Sequence, residues 1–279
     1  MPARPEPDRH SPPHAATPPI LLREQRGAIA LWTLNRPAAR NALSQAMIAE
    51  LGNAIAEAST DKSVRAVVLA ANGPAFSAGH DLKELTAHRM GPDRGRASYR
   101  QIMEACANLM QAIVACPKPV IAAVEATATA AGCQLVATCD LAVAAEPAQF
   151  CTPGVNIGLF CSTPMVALTR NVPRKRAMEM LLLGEMVSAR DAAQYGLVNR
   201  VVPAGEALPE ALRMAAAIAA KSPATVALGK ATFYRQIEVP LHQAYADAAN
   251  VMVENMLLGD AEEGIGAFID KRQPEWTGE

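Results

Sequence analysis

Two stretches of this sequence repeat one pattern of residue types suited to a single kind of chemistry. Val67-Val68-Leu69-Ala70-Ala71 leads to Ala78-Gly79-His80-Asp81-Leu82, and Val120-Ile121-Ala122-Ala123-Val124 leads to Ala131-Gly132-Cys133-Gln134-Leu135. Each reads as a strand, a connection of small residues, and then A-G-x-[DQ]-L opening a helix. Glycine at such a turn lets backbone approach a ligand, and the free N–H groups of the helix's first turn point outward at the positive end of its dipole. Two such turns facing one another would make a two-donor oxyanion hole, where losing one donor typically costs about 3–4 kcal/mol of barrier. The chemistry implied is formation of an enolate or a tetrahedral oxyanion. Taken alone, either turn also fits plain packing of a helix on a strand.

The elements that must hold these turns follow from hydrophobic spacing. Strands are expected over 28–34, 65–71, 120–124, 141–145 and 197–202. A helix should start near Ser44, with Met47, Ile48, Leu51 and Ile55 on one face. Short helices are expected from Asp81 and over 133–137, with a polar loop over 88–97. A long helix over 98–115 is halted by Pro117 and Pro119. From Pro173 onward the pattern is mostly helical, over 173–183, 188–194, 206–220, 223–238, 240–258 and 260–271. Alternating strand and helix followed by helices indicates an α/β core with a helical C-terminal part. Residues 1–19 hold seven of the 21 prolines and no hydrophobic periodicity, which reads as a disordered leader. The expected division is this leader (1–19), a core bearing the site (20–204) and a helical oligomerisation region (205–279).

Composition excludes several classes of function. The 279 residues carry a net charge of −1, which argues against an extended polyanion such as nucleic acid as partner. The most apolar stretch, 119–145, is interrupted by Glu125, Gln134 and Asp140, so no membrane span is expected. The six cysteines form no C-x-x-C pair and the five histidines stand apart from them, which implies reduced buried thiols and no metal site. The leader mixes Arg4 and Arg9 with Glu6 and Asp8 and lacks an apolar core, a poor targeting signal, so a cytoplasmic protein is expected.

Residues 28–279 resemble the crotonase, or enoyl-CoA hydratase/isomerase, superfamily. The resemblance rests on Arg36-Pro37 followed by Asn41-Ala42-Leu43, on PAFSAGHDLKEL (74–85), PKPVIAAV (117–124), AAGCQLVATCDLAVA (130–144), FCTPGVNIGL (150–159), LLLGEMVSARDAAQYGLVNRVVP (181–203) and AFIDKRQPEW (267–276). It implies the α/β crotonase (ClpP/crotonase-like) fold, a spiral of ββα units with a C-terminal helical trimerisation region, assembled as a homotrimer or a dimer of trimers. It also implies an acyl-CoA thioester as ligand, no further cofactor, and thioester-enolate chemistry. Carried over by position, the oxyanion donors are the backbone N–H groups of His80 and Ala131, with Gly132 in the second turn. Lys83, Phe268 and Lys271 match positions that contact CoA, the last two from a neighbouring subunit.

The sequence also departs from that family. Its hydratases resemble one another in carrying a pair of glutamates, where this chain has Gln134 and Gly154. Each general acid–base group contributes about 10²- to 10⁴-fold, so efficient hydration is not expected. The combination AGHDLKEL, AAGCQL, TPGVNIGLFCSTP and GKATFYRQ resembles most closely a subgroup that also lacks the pair. Three readings follow: thioester-enolate chemistry other than hydration, ordinary hydration for fatty-acid oxidation through other groups, or a non-catalytic acyl-CoA sensor.

The tract 124–132 reads V-E-A-T-A-T-A-A-G where the family usually shows V-N-G-x-A-x-G-G-G. Positive φ at Ala130 or Ala131 would therefore alter the pocket. Three side chains are candidates for acid, base or nucleophile, each beside a plainer role. These are His80, whose ring would otherwise pack outward, Glu125, which would otherwise cap or pair locally, and Cys161, which would otherwise be an inert buried thiol. Asp81 and Asp140 are expected to be structural. The cluster Arg170, Arg174, Lys175 and Arg176 reads as a solvated helix start. Lys230 lacks the glycine and Ser/Thr of a P-loop.

Overall fold

The computed structural model describes residues 18–279, so 1–17, most of the expected leader, lie outside the described residues. The chain begins with β1 (Leu21–Arg26), β2 (Ile29–Leu34) and α1 (Gln45–Thr60). Three units of one design follow: β3 (Ala66–Ala71), β4 (Ala75–Ser77) and α2 (Leu82–Ala87) with α3 (Arg96–Ala115); β5 (Val120–Val124), β6 (Thr127–Thr129) and α4 (Ala131–Thr138); β7 (Leu141–Ala145), β8 (Gln149–Cys151) and α5 (Ser162–Asn171). Next come α6 (Arg174–Leu183), β9 (Val187–Ser188), α7 (Ala189–Gln194) and β10 (Arg200–Val202), then α8 (Ala207–Ala219), α9 (Pro223–Gln236), α10 (Leu241–Met256) and α11 (Gly259–Asp270).

The longer strands form a sheet in the order β1-β2-β3-β5-β7-β10, and the shorter ones a second sheet in the order β4-β6-β8-β9. All pairings are parallel except β1 with β2 and β8 with β9. Each unit therefore advances by one strand in both sheets at once. That is the expected spiral of ββα units.

Both faces of the central strands β2, β3, β5 and β7 are buried, which is why these strands read as apolar runs. One face carries Val67, Leu69, Val120, Ala122 and Val124 and shares a core with Met47, Leu51 and Ile55 of α1 and Leu109 and Ile113 of α3. The opposite face, with Val68, Ala70, Ile121, Ala123, Val143 and Ala145, lies under α8. Ala207, Ala211 and Ala215 recur every fourth residue on α8 and are fully buried, so that helix meets the sheet without bulky side chains. Ser44 caps α1 where expected, accepting from the Met47 N–H.

Three sets of elements differ from expectation. In β1 only Leu21 is buried, so the strand carries no periodic signal. The strands β4, β6 and β8 are three residues each, too short for a period. The helix α5 begins at Ser162, ahead of the helical pattern read from Pro173. The C-terminal helices leave large apolar side chains outward, among them Leu241, Tyr245, Met252, Leu257 and Phe268. No helix of the described residues is long and apolar enough to cross a membrane.

Candidate active site

The short sheet gathers the site. In β4, Ala75 and Ser77 pair with Thr127 and Ala128 of β6, and in β6, Ala128 and Thr129 pair with Phe150 and Cys151 of β8. Three parallel strands thus end side by side, and each runs into a turn: 78–80, 130–132 and 152–154. A hydrogen bond from the Ala130 N–H to the Cys151 carbonyl, 2.9 Å, joins the second turn to the third.

The two A-G turns touch through their glycines. Gly79 has φ +84°, and a Cβ there would stand 2.9 Å from the Ala130 Cβ and 3.2 Å from the Ala131 nitrogen. A Cβ on Gly132 would stand 2.3 Å from the Ser77 carbonyl oxygen. The repeat seen in the sequence is therefore one structure, two turns in contact. Among the described residues, neither the His80 nor the Ala131 N–H donates to a protein acceptor. Positive φ does occur in the glycine-poor tract: Ala130 sits at φ +50°, ψ −119°, a strained conformation for a residue with a Cβ. The strain stops there, because Ala131 is already in α4.

The first turn is held from behind by residues whose role spacing alone did not reveal. Asn41 is fully buried. Its amide nitrogen donates to the carbonyls of Asn72 and Ala75, each at 2.8 Å, and its oxygen accepts from the Arg36 N–H. The Leu43 N–H donates to Gly79 O and the Ala78 N–H to Arg40 O. Arg36 reaches the Ala42 carbonyl and the Asp81 carboxylate, both at 3.2 Å. Asp81 also accepts from the Lys83 and Glu84 N–H groups, capping α2. Burial pushes its carboxyl up, but those N–H groups and Arg36 hold it below the usual range.

Among the described residues, buried polar atoms without a partner include both ring nitrogens of His80, the Gln134 Oε1 and the Thr152 Oγ1, in or directly after these turns, and the Tyr99 hydroxyl on α3. Such atoms are rare and mark places where a ligand or water completes the bonding. The His80 ring does not simply pack outward, since its nitrogens are out of solvent, and burial lowers its pKa from the ordinary 6.5 against weaker raising by the Leu43 backbone and the Glu84 carboxylate. It is thus a neutral imidazole at pH 7.

The remaining candidates divide cleanly. At Gly154 a Cβ would meet the Cys161 Sγ and the Leu159 carbonyl, each at 3.0 Å, so the thiol occupies space beside the position where hydratases carry a carboxylate. Burial raises the Cys161 thiol pKa, against a weaker lowering by the Gly154 N–H. All six cysteines are buried and free. Glu125, considered as a relocated acid or base, is instead spent on α8: its oxygens accept from the N–H groups of Gly205, Ala207 and Leu208 at 2.9, 2.7 and 3.3 Å. Asp140 is structural, accepting from the Val120 N–H, Lys230 and Tyr234, and Lys230 is its buried partner. In the basic cluster, Arg170 pairs with Glu238, and Arg176 pairs with Glu179 and lies over the Tyr195 ring.

The chain brings together His80, Ala131, Gly132, Gln134, Gly154 and Cys161, and Lys83 stands exposed on α2 close behind. Phe268 lies on α11, which packs on α9 and α10, and Lys271 follows the end of that helix.

Comparison with known proteins agrees with this geometry. The enoyl-CoA hydratase/isomerase family matches residues 24–279. The chain is 47% identical over 260 residues to the rat mitochondrial enoyl-CoA hydratase domain-containing protein 3, covering 93% of this chain and 85% of that protein. The crystal structure of the human protein of that type is 45% identical, with TM-score 0.88, and covers 92% of this chain and all (100%) of that one. The crystal structure of an enoyl-CoA hydratase from Mycobacterium smegmatis is 54% identical, with TM-score 0.88, covering 93% and 99%. The expected cytoplasmic location is corrected by the mitochondrial relatives. A ladder of paired strands ending in two contacting A-G turns, together with these likenesses over nearly the whole chain, places the protein in the enoyl-CoA hydratase/isomerase, or crotonase, family.

Proposed function

We propose that this chain binds an acyl-CoA thioester with its carbonyl oxygen between the backbone N–H groups of His80 and Ala131, and that these donors stabilise the thioester enolate. The observation that carries the proposal is the contact between the two turns, in which a Cβ on Gly79 would stand 3.2 Å from the Ala131 nitrogen, together with two N–H groups that, among the described residues, donate to no protein acceptor. Electrostatic stabilisation by such preorganised donors is typically the largest single contribution to this kind of chemistry.

Efficient hydration is not part of this function. A Gln134 amide orients water without taking its proton, Gly154 supplies no side chain, and Glu125 is committed to α8. The titratable group left at the turns is His80. Its neutral imidazole can accept the α-proton while its own N–H stabilises the oxyanion, so a single residue would serve twice. The apolar faces of α10 and α11 support association of copies, through which a neighbour's Phe268 and Lys271 would reach CoA. A non-catalytic acyl-CoA sensor is favoured only by the missing carboxylate pair.

Turnover in D₂O separates these readings. Saturated and enoyl-CoA esters should exchange their α-proton in wild type, His80→Gln should abolish exchange while keeping binding, and hydration of crotonyl-CoA should be slower than exchange. Binding without exchange across the panel would make the protein a sensor. Rapid crotonyl-CoA hydration would overturn the inference from Gln134 and Gly154.

A further inference from the structure

A cavity of about 500 Å³ lies between α8, α9 and the residues that lead into β5 and β7, with Pro119, Leu141, Ile218, Val226 and Phe233 as its apolar wall. No residue of the 78–80, 130–132 or 152–154 turns lines it. Its volume is that of a small-molecule site, about 300–1,000 Å³, and such sites combine apolar walls with a few polar groups.

The helix α9 gives this space a purpose beyond imperfect packing. Val226, Gly229, Lys230 and Phe233 fall at i, i+3, i+4 and i+7, so one face of the helix lines the cavity. Glycine is a poor residue for the interior of a helix, and it usually stands there for close packing or for function. Close packing does not explain Gly229, because a Cβ built there would have no neighbouring heavy atom within 4 Å. The glycine holds open room that the protein leaves unfilled.

The charges on the wall reduce to one. Lys230 donates to the carbonyls of Ile113 and Lys118 at 2.9 and 3.1 Å and to the Asp140 carboxylate at 2.7 Å, which uses all of an ammonium's donors. Asp140 is engaged as well, accepting from the Val120 N–H at 2.7 Å and the Tyr234 hydroxyl at 2.9 Å. That pair is neutral and closed to a ligand. Lys221, between α8 and α9, is exposed and among the described residues forms no ion pair. An apolar cavity with one free ammonium is complementary to a ligand with an apolar body and a single negative charge. We infer that this cavity is a second ligand site of the chain and takes an aliphatic carboxylate, its chain along Gly229 and its carboxylate at Lys221.

Calorimetric titration of the full chain with octanoate and octan-1-ol tests it, because the two share a chain length and differ in charge. Wild type should bind octanoate about fivefold more tightly than the alcohol, the yield of an exposed ion pair, and Lys221→Gln should erase that difference. Gly229→Leu should fill the cavity and weaken octanoate at least about tenfold. It should melt no lower than wild type, since leucine is the better helix former and its Cβ meets no neighbour. Absence of octanoate binding in wild type, equal affinity for the alcohol, or undiminished binding by Gly229→Leu would each overturn the inference. Displacement of octanoate by hexanoyl-CoA would also overturn it, by assigning the acid to the turns. So would wild type that binds no octanoate but loses its oligomeric state on Gly229→Leu in sedimentation, which makes the cavity a contact between copies. Lys221→Gln alters an exposed side chain and decides the matter if the leucine variant does not fold: an unchanged preference for octanoate refutes the site.

Discussion

Gly132→Ala is the sharpest perturbation of the site, because one methyl group tests whether the two turns act as a unit. The new Cβ would stand 2.3 Å from the Ser77 carbonyl oxygen, 2.7 Å from the Ser77 Cβ and 2.8 Å from the Ser77 carbonyl carbon. Two of these are backbone atoms of β4, which cannot rotate aside as a side chain can. Ordinary van der Waals contact begins at 3.4 Å, so α4 and β4 must separate by about 1 Å, a misplacement of the size that costs on the order of 100-fold in rate. Overpacking of this kind also destabilises by about 1–3 kcal/mol. At about 2–4 °C per kcal/mol for a large domain, melting should fall measurably while the protein stays folded at 25 °C. The assay is α-proton exchange of a saturated acyl-CoA in D₂O, run beside ligand binding and a thermal melt. Exchange should drop about 100-fold with binding changed only a few-fold. A folded variant with the wild-type exchange rate would refute the two-turn oxyanion hole.

Three other perturbations read separate parts of the structure. Ala130→Gly removes a Cβ from a residue at φ +50° and should stabilise the protein by about 1 kcal/mol in denaturant melts; a loss of stability would show that its contact with Gly79 outweighs the strain. Glu125→Ala strips the N-terminus of α8 of its acceptor and should cost about 1–2 kcal/mol while leaving α-proton exchange intact; lost exchange in a folded variant would return Glu125 to the chemistry. Burial lowers the His80 pKa below 6.5, so below that pH the unfolded chain binds a proton that the folded chain resists. The His80 contribution to stability is therefore full above the unfolded pKa and lost as pH falls toward the folded one. His80→Gln should flatten that acid limb, and an unchanged pH profile of unfolding would show that the ring is not held neutral by the fold.

How far the sequence carries into this structure depends on the length over which each feature is written. The buried strands 120–124 and 141–145 were legible to the residue because both faces are covered and every position is apolar. The strands that build the site were not, because three residues cannot display a period, and β4, β6 and β8 exist through pairing with one another. The contact between the two turns was legible for a different reason: the glycines that let them meet recur at matching places in successive ββα units, and the repeat exposed them. Asn41 and Glu125 mark the limit. One belongs to a loop that braces β4 and the other caps a helix eighty residues on, and both tasks depend on contacts distant in sequence. A carboxylate beside an active strand end invites a catalytic role, but three N–H donors at the start of α8 had a prior claim on it.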